Sequence, residues 1–387
     1  MQRSSHRILT THYGSLPRPE DLIEMYHDGC EPDVIGPRVH QAVAEVVQKQ
    51  IDIGIDIVGD GEYGKPMRST IDYGSWATYV YSRLAGYEFR PVEEPLLLTY
   101  GKDRADFANF YKVAGDLIEL PAGGIPWPHC TSAVSYVGQE ESAREVADLK
   151  SATAGASITD VFMPAISPAS IESMQPNEFY ESDDEYVFAI ASAMREEYKA
   201  IVDAGFVLQI DDPALAVCYD WWFAGKKPLD EYLSWAQIRV DALNHALEGL
   251  PAERIRYYLC WGSWHGPHST DIPLREIIEM VLSINAQAFT LEASNVRHEH
   301  EWKVWQEVEL PADRILIPGV VSHATEVLEH PELVADRIVR YAELVGRENV
   351  IAGTDCGLGG RIHPELAWAK LKVLSEGAKL ASERLWN

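Results

Sequence analysis

The chain is short of positive charge. Of its 387 residues, 33 are Lys or Arg and 60 are Asp or Glu, a formal net charge of −27 at neutral pH. A phosphate-binding face needs clustered Lys and Arg, and the absence of such a cluster argues against nucleic acid or an anionic membrane surface as a partner. Cysteine is scarce too. Cys30, Cys130, Cys218, Cys260 and Cys356 are odd in number and scattered, which excludes a disulfide framework and fits a reducing cytosol. No apolar run approaches the roughly 18 residues that span a bilayer, and the opening MQRSSHRILTTHYGS has no apolar core of a signal peptide. The expected setting is cytoplasmic. Tandem repeats, low-complexity tracts and flexible linkers are also missing, so residues 1–387 are expected to form a single domain.

What is present is alternation. Extended apolar runs are expected near residues 8–13, 55–60, 158–165, 206–211, 255–260, 286–292, 314–320 and 349–354, each followed by a helical pattern. Ser182 and Glu185 form a capping box ahead of a stripe of Val187, Ile190, Ala191, Met194, Tyr198 and Ile201. A second helix is expected from Pro331 to Val345, ended by Gly346 in the left-handed conformation, and a third from Pro364 to about Ser382. Eight such units predict an α/β fold, a (β/α)8 TIM barrel. Residues 73–157, between strands two and three, are too long for one helix and dense in aromatics. They are expected to be an insertion or lid over the barrel mouth, with a short strand near 131–136, and could serve as a contact between copies in a homo-oligomer.

Catalytic groups of such barrels stand at the carboxyl ends of the strands. There the chain reads Thr11-His12-Tyr13-Gly14-Ser15, Asp60-Gly61-Glu62, Asp211-Asp212-Pro213, Cys260-Trp261-Gly262, Glu292-Ala293-Ser294-Asn295, Ser322-His323 and Asp355-Cys356-Gly357. In one parallel barrel Cys260, Glu292 and Cys356 converge, and two thiolates with a carboxylate form a zinc set. The competing reading makes the cysteines buried apolar residues and Glu292 an ion-pair partner. Glu62 and Asp211-Asp212-Pro213 could equally be helix-capping and turn residues. His12 ends the first strand and is expected to face the mouth. Trp261, Trp264, His265 and His268 could wall a flat co-substrate. Arg18, Lys65, Arg68 and Arg361 are the basic residues nearest the mouth for an anionic substrate end.

This ordered set of motifs resembles the catalytic domain of the cobalamin-independent methionine synthase family, which also includes the epoxyalkane:coenzyme M transferases. The resemblance runs from Thr11 to Gly357 and is to the short, single-barrel form. It implies a zinc enzyme in which Cys260, Glu292 and Cys356 ligate the metal. The family's histidine two residues before the first cysteine is Tyr258 here, so the fourth ligand could be Tyr258, His265, His268 or the substrate. Glu62 and Asp211 match the carboxylates that hold the amino group of homocysteine, and Gly14 with Ser15 the main chain that receives its carboxylate. Asp212 stands where the family has glutamate. His323 resembles the catalytic histidine after strand seven, without the aspartate that precedes it, which is Ser322 here.

Two functions follow. The first is transfer of an alkyl group, most simply methyl, to homocysteine or a related thiol, from a methylfolate, a corrinoid or an epoxide. The second is a diverged zinc lyase or hydrolase acting on a small apolar compound, with Tyr258 as general acid.

Overall fold

The computed structural model describes residues 1–66, 75–92, 101–115 and 125–387. Of the residues named above, Arg68 lies outside the described ones. Eight parallel strands form the barrel: β1 (Leu9–Thr10), β2 (Ile57–Val58), β5 (Asp160–Ile166), β6 (Val207–Asp212), β7 (Ile255–Leu259), β8 (Ala288–Glu292), β9 (Ile315–Val321) and β10 (Ile351–Thr354). Their order is β1-β10-β9-β8-β7-β6-β5-β2. The circle closes where Thr11 bridges Ile57 in parallel, with the Thr11 hydroxyl on the Ile57 carbonyl at 3.0 Å. This is the expected (β/α)8 fold, with every expected strand present.

Alternation along each strand explains the layering, because successive side chains point to opposite faces. Leu9, Ile57, Phe162, Val207, Ala288, Ile315, Ile317 and Ile351 fill the barrel interior. The intervening Leu208, Ile210, Tyr257, Leu259, Phe289, Leu291 and Leu316 belong to the larger core shared with the surrounding helices. The helix Asp183–Asp203 buries Val187, Ile190, Ala191, Met194, Tyr198 and Ile201 there. Its cap differs in one bond from a capping box. Ser182 Oγ accepts from the Glu185 main-chain N–H at 3.1 Å, but the Glu185 carboxylate reaches back to Glu181 rather than to Ser182. The helix Pro331–Val345 ends at Gly346 with φ 89° and ψ 130°, a positive-φ extended conformation rather than the left-handed helical one. The last helix runs from Pro364 to Trp386, a turn longer than expected.

Between β2 and β5 the chain forms an antiparallel hairpin of β3 (Leu84–Val92) and β4 (Ile125–Tyr136). The short strand expected at 131–136 is the end of a longer one. Its partner was hidden because Leu84–Val92 carries Gly86 and Pro91, which interrupt any alternating pattern. The hairpin is tied to the barrel's helices through Glu197, whose carboxylate takes the Tyr136 hydroxyl at 2.8 Å and pairs with Arg83 at 3.2 Å.

Candidate functional site

The site begins one layer above the apolar interior. Thr11, Gln209 and Arg256 form a polar tier, in which the Arg256 guanidinium donates to Gln209 Oε1 (2.7 Å), Thr11 Oγ1 (2.9 Å) and the His12 carbonyl (3.0 Å). Tyr258 stands above it, paired in register with Asp211 and Thr290. Tyr13, Tyr258, Cys260 and Cys356 then pack together as one buried cluster. The rings of Tyr13 and Tyr258 lie 3.6 Å apart, and the Tyr258 hydroxyl donates to the Asp355 carbonyl at 2.6 Å.

The two sulfurs lie in this one cluster, close enough for each to shift the other's titration. Cys260, beside Cys356 and stripped of water, has its thiol pushed well up. For Cys356, burial is outweighed by the neighbouring Cys260 thiol and by the Arg361 guanidinium, and its thiol is drawn well below the ordinary value. Cys356 Sγ lies 3.1 Å from Arg361 Nη1, a contact that favours negative charge on this sulfur. Cys260 Sγ accepts from the Gly262 main-chain N–H at 3.3 Å.

Glu292 reaches the same mouth from β8, but both its oxygens are already engaged. Oε1 takes the Trp261 N–H at 2.9 Å and Oε2 the Asn295 side chain at 2.7 Å. Burial, opposed by His298 and assisted by Asp355 and Cys356, raises its carboxyl to about 8. Asp355 is anchored by the main-chain N–H groups of Ala293 and Ser294 at 2.7 and 2.9 Å. Strands β9 and β10 approach closely at this point, since a Cβ on Gly319 would lie 2.4 Å from Asp355 Cα. Among the described residues, no three His, Cys, Asp or Glu side chains surround a point that would hold a metal ion. The donor chemistry of two sulfurs and an adjacent carboxylate is that of a zinc set, while the carboxylate points to its main-chain and amide partners.

A second group lies on the β1, β2 and β6 side. Glu62 has φ 64°, and a Cβ on Gly14 would fall 2.0 Å from Glu62 Oε1. Only glycine permits this contact, at φ 23°. Burial, countered by Lys65 and Arg18, raises the Glu62 carboxyl to about 7. Asp211 is pushed well up by burial and then by Glu62. Glu62 Oε1 and Asp211 Oδ2 are both buried with no hydrogen-bond partner among the described residues. The loops after β1 and β10 meet beside them, where Leu358 and Gly359 donate to the Ser15 carbonyl, each at 3.0 Å.

Other expected site residues stand elsewhere. Asp212 points away from the mouth: its carboxylate takes Ser170 Oγ (3.2 Å), the Leu215 N–H (3.3 Å) and the Tyr257 hydroxyl (3.1 Å). His12 does not face the mouth either. Its Nε2 meets Gln50 Oε1 at 2.8 Å on the helix Pro32–Asp52, and burial lowers its imidazole to about 4. Trp261 is buried against His298 with ring centroids 4.2 Å apart, its indole N–H donating to the Ile272 carbonyl at 2.8 Å. It is core rather than wall. His265 is exposed, and His268 is bound to Asp271 and the Trp264 carbonyl. His323 is buried near Cys356, and burial lowers its imidazole to about 4, so at neutral pH it is uncharged. Ser322 does not orient it, because the Ser322 hydroxyl accepts from the Ala324 N–H at 3.1 Å.

Three features escaped the sequence. Tyr13 covers the sulfur pair, although it sits inside the quoted Thr11–Ser15 string. Asn295 and Asp355 support Glu292 and its loop. His298 is clamped between Glu301 Oε2 (2.9 Å) and Asp271 Oδ2 (3.1 Å), and these bonds outweigh burial to raise its imidazole to about 10. The spacing His298-x-x-Glu301 on one helical turn is the signal that was available.

A family model described as the cobalamin-independent synthase catalytic domain matches residues 174–380. The methionine synthase of Saccharolobus solfataricus is 26% identical over 97% of this chain and 95% of its own length. That of Thermococcus kodakarensis is 22% identical, covering 97% of this chain and 94% of its own. Among solved structures, a B12-independent methionine synthase from Shewanella sp. W3-18-1 in complex with selenomethionine superposes with a TM-score of 0.71. It is 20% identical, covering 98% of this chain and 99% of its own. A putative vitamin-B12-independent methionine synthase from Listeria monocytogenes gives a TM-score of 0.63 at 18% identity, over 98% of this chain and 99% of its own. Both likenesses establish the barrel.

Proposed function

We infer, for a chain that belongs to the cobalamin-independent synthase catalytic-domain family, that it transfers a methyl group to the thiol of homocysteine or a closely related amino-acid thiol. The observation that carries this reading is the pairing at one mouth of two kinds of group. Glu62 and Asp211 each keep a buried oxygen without a partner among the described residues, and Cys260 and Cys356 pack together under Tyr13 and Tyr258 nearby. Two adjacent buried carboxylates are unstable as a doubly ionised pair unless a cation arrives between them. An ammonium group supplies that cation and takes both free oxygens.

Cys260 and Cys356 are the residues that would hold zinc, and Glu292 would join them only by giving up its bonds to the Trp261 N–H and the Asn295 amide. Zinc bound there would supply deprotonation of an incoming thiol near neutral pH. The protein's own part is positional. Gly14 leaves room for Glu62, and Arg361 keeps negative charge on Cys356. His323, uncharged and with its buried Nδ1 unpartnered, is in the form that accepts a proton rather than gives one. Tyr13 and Tyr258 cover the sulfurs and exclude water from them. Tyr258 itself donates to a main-chain carbonyl, and burial keeps its phenol protonated. That arrangement suits a covering residue better than the general acid which a lyase reading requires.

The test is methionine formation from L-homocysteine with a methyltetrahydrofolate or methylcobalamin as donor, together with the metal content of the purified chain. The expected result is about one zinc per chain, with zinc and turnover both lost in Cys356→Ser. Full turnover by metal-free protein would remove the metal from the proposal. No methionine from either donor, with tight zinc binding retained, would favour a different electrophile.

A further inference from the structure

We propose that Gln209 and Arg256 are positioning residues, which tie one oxygen of Asp211 and present the other to the amino group of the substrate. The inference rests on the reading of Glu62 and Asp211 as an ammonium-binding pair. Arg256 is a charged side chain in the middle of the barrel, 1% exposed, with its guanidinium 3.5 Å from the centroid of the Phe162 ring. Its three hydrogen-bond acceptors, Gln209 Oε1, Thr11 Oγ1 and the His12 carbonyl, are all uncharged. A buried cation held only by neutral acceptors is expensive in a folded protein. A carboxyl group lies one amide away, since the Gln209 Nε2 group donates to Asp211 Oδ1 at 2.6 Å.

The order of this relay is fixed by chemistry. A guanidinium has donors only, so the amide of Gln209 must turn its oxygen to Arg256 and therefore its nitrogen to Asp211. Each bond polarises the next. Asp211 Oδ1 is thereby engaged, and Oδ2 is the oxygen left without a partner beside Glu62. The groups facing this carboxylate are Glu62 and Lys65 after β2, Tyr13 after β1, Gln209 on its own strand and Arg256 on the next. Of these, Gln209 alone orients it from beneath.

Gln209→Glu separates this role from packing. The substitution preserves size and gives Arg256 a full counter-charge, so a structural role is satisfied. It removes the N–H that Asp211 uses. Binding to the full-length, metal-loaded chain is measured by calorimetry for L-homocysteine and for 4-mercaptobutanoate, the same thiol acid without its amine. The expected result is a loss of about tenfold or more for L-homocysteine in Q209E. Affinity for 4-mercaptobutanoate should stay unchanged. Arg256→Lys should retain more of the L-homocysteine affinity than Arg256→Met. Equal L-homocysteine affinity in wild type and Q209E overturns the proposal, as does a parallel loss for both ligands. If the wild type itself does not prefer the amine, the ammonium reading of Glu62 and Asp211 fails. The relay is then judged by a carbon-13 NMR titration of the Asp carboxyls, with Asp211 assigned through Asp211→Asn. An upward displacement of its titration in Gln209→Met, which removes the N–H without adding a charge, supports the relay, and an undisplaced one overturns it.

Discussion

Glu62 is a carboxyl whose proton is held by its surroundings. Burial raises it from 4.5 to about 7. Between those two values the folded chain keeps a proton that the unfolded chain has lost, so the stability this group contributes declines as pH rises through the window. Its grip on an ammonium runs the other way, because only the carboxylate attracts the cation. Affinity for L-homocysteine should therefore increase as pH climbs through about 7, and Glu62→Gln should flatten that rise in a calorimetric pH series. Gly14→Ala should raise the KM for the thiol roughly tenfold, about 1.4 kcal/mol, because its Cβ would displace the Glu62 carboxylate. Asp212→Ala should leave KM unchanged and cost about 2–4 kcal/mol in chemical denaturation, since Tyr257, Ser170 and the Leu215 N–H lose a buried acceptor. Adjacent residues on a strand face opposite sides. That rule places Asp211 inside and Asp212 outside, and Cys260 inside and Trp261 outside. The second member of each pair was misplaced by reading composition at the strand end without the alternation.

At the scale of elements, barrel strands and long helices were legible because their periods are set by burial on one face or stripe. The helix Asp183–Asp203 shows this, with its buried set and cap serine both visible in the sequence. Ser182→Ala should lower stability by about 1 kcal/mol in denaturant titration, through loss of the bond to the Glu185 N–H. The orientation of side chains in the loops was not legible. His12 follows Thr11, whose bridge to Ile57 lies just past the two-residue strand, and there the chain is free to turn its ring toward Gln50. Glu292 was expected to point at the sulfurs, but the Trp261 N–H and the Asn295 amide, from two separate loops, hold its oxygens. No local pattern encodes such a meeting of loops.

For the molecule as a whole, the barrel is unevenly stitched. Strands β5 to β9 are five to seven residues long, whereas β1 and β2 contribute two residues apiece. They are joined to each other by the Thr11–Ile57 bridge and by Asp56, which takes the Thr10 hydroxyl at 3.0 Å and its N–H at 2.9 Å. Local opening is easiest where few ladder bonds must break. Amides of Thr11 and Ile57 should exchange with solvent deuterium well before those of Ile210 and Tyr257, as read by mass spectrometry of the native protein.

Gly14 and Glu62 hang from that thinly sewn seam, while Cys260 and Glu292 grow from the strongest part of the wall. Gentle warming would thus loosen the hold on the Glu62 carboxyl before it loosened the wall that carries Cys260 and Glu292.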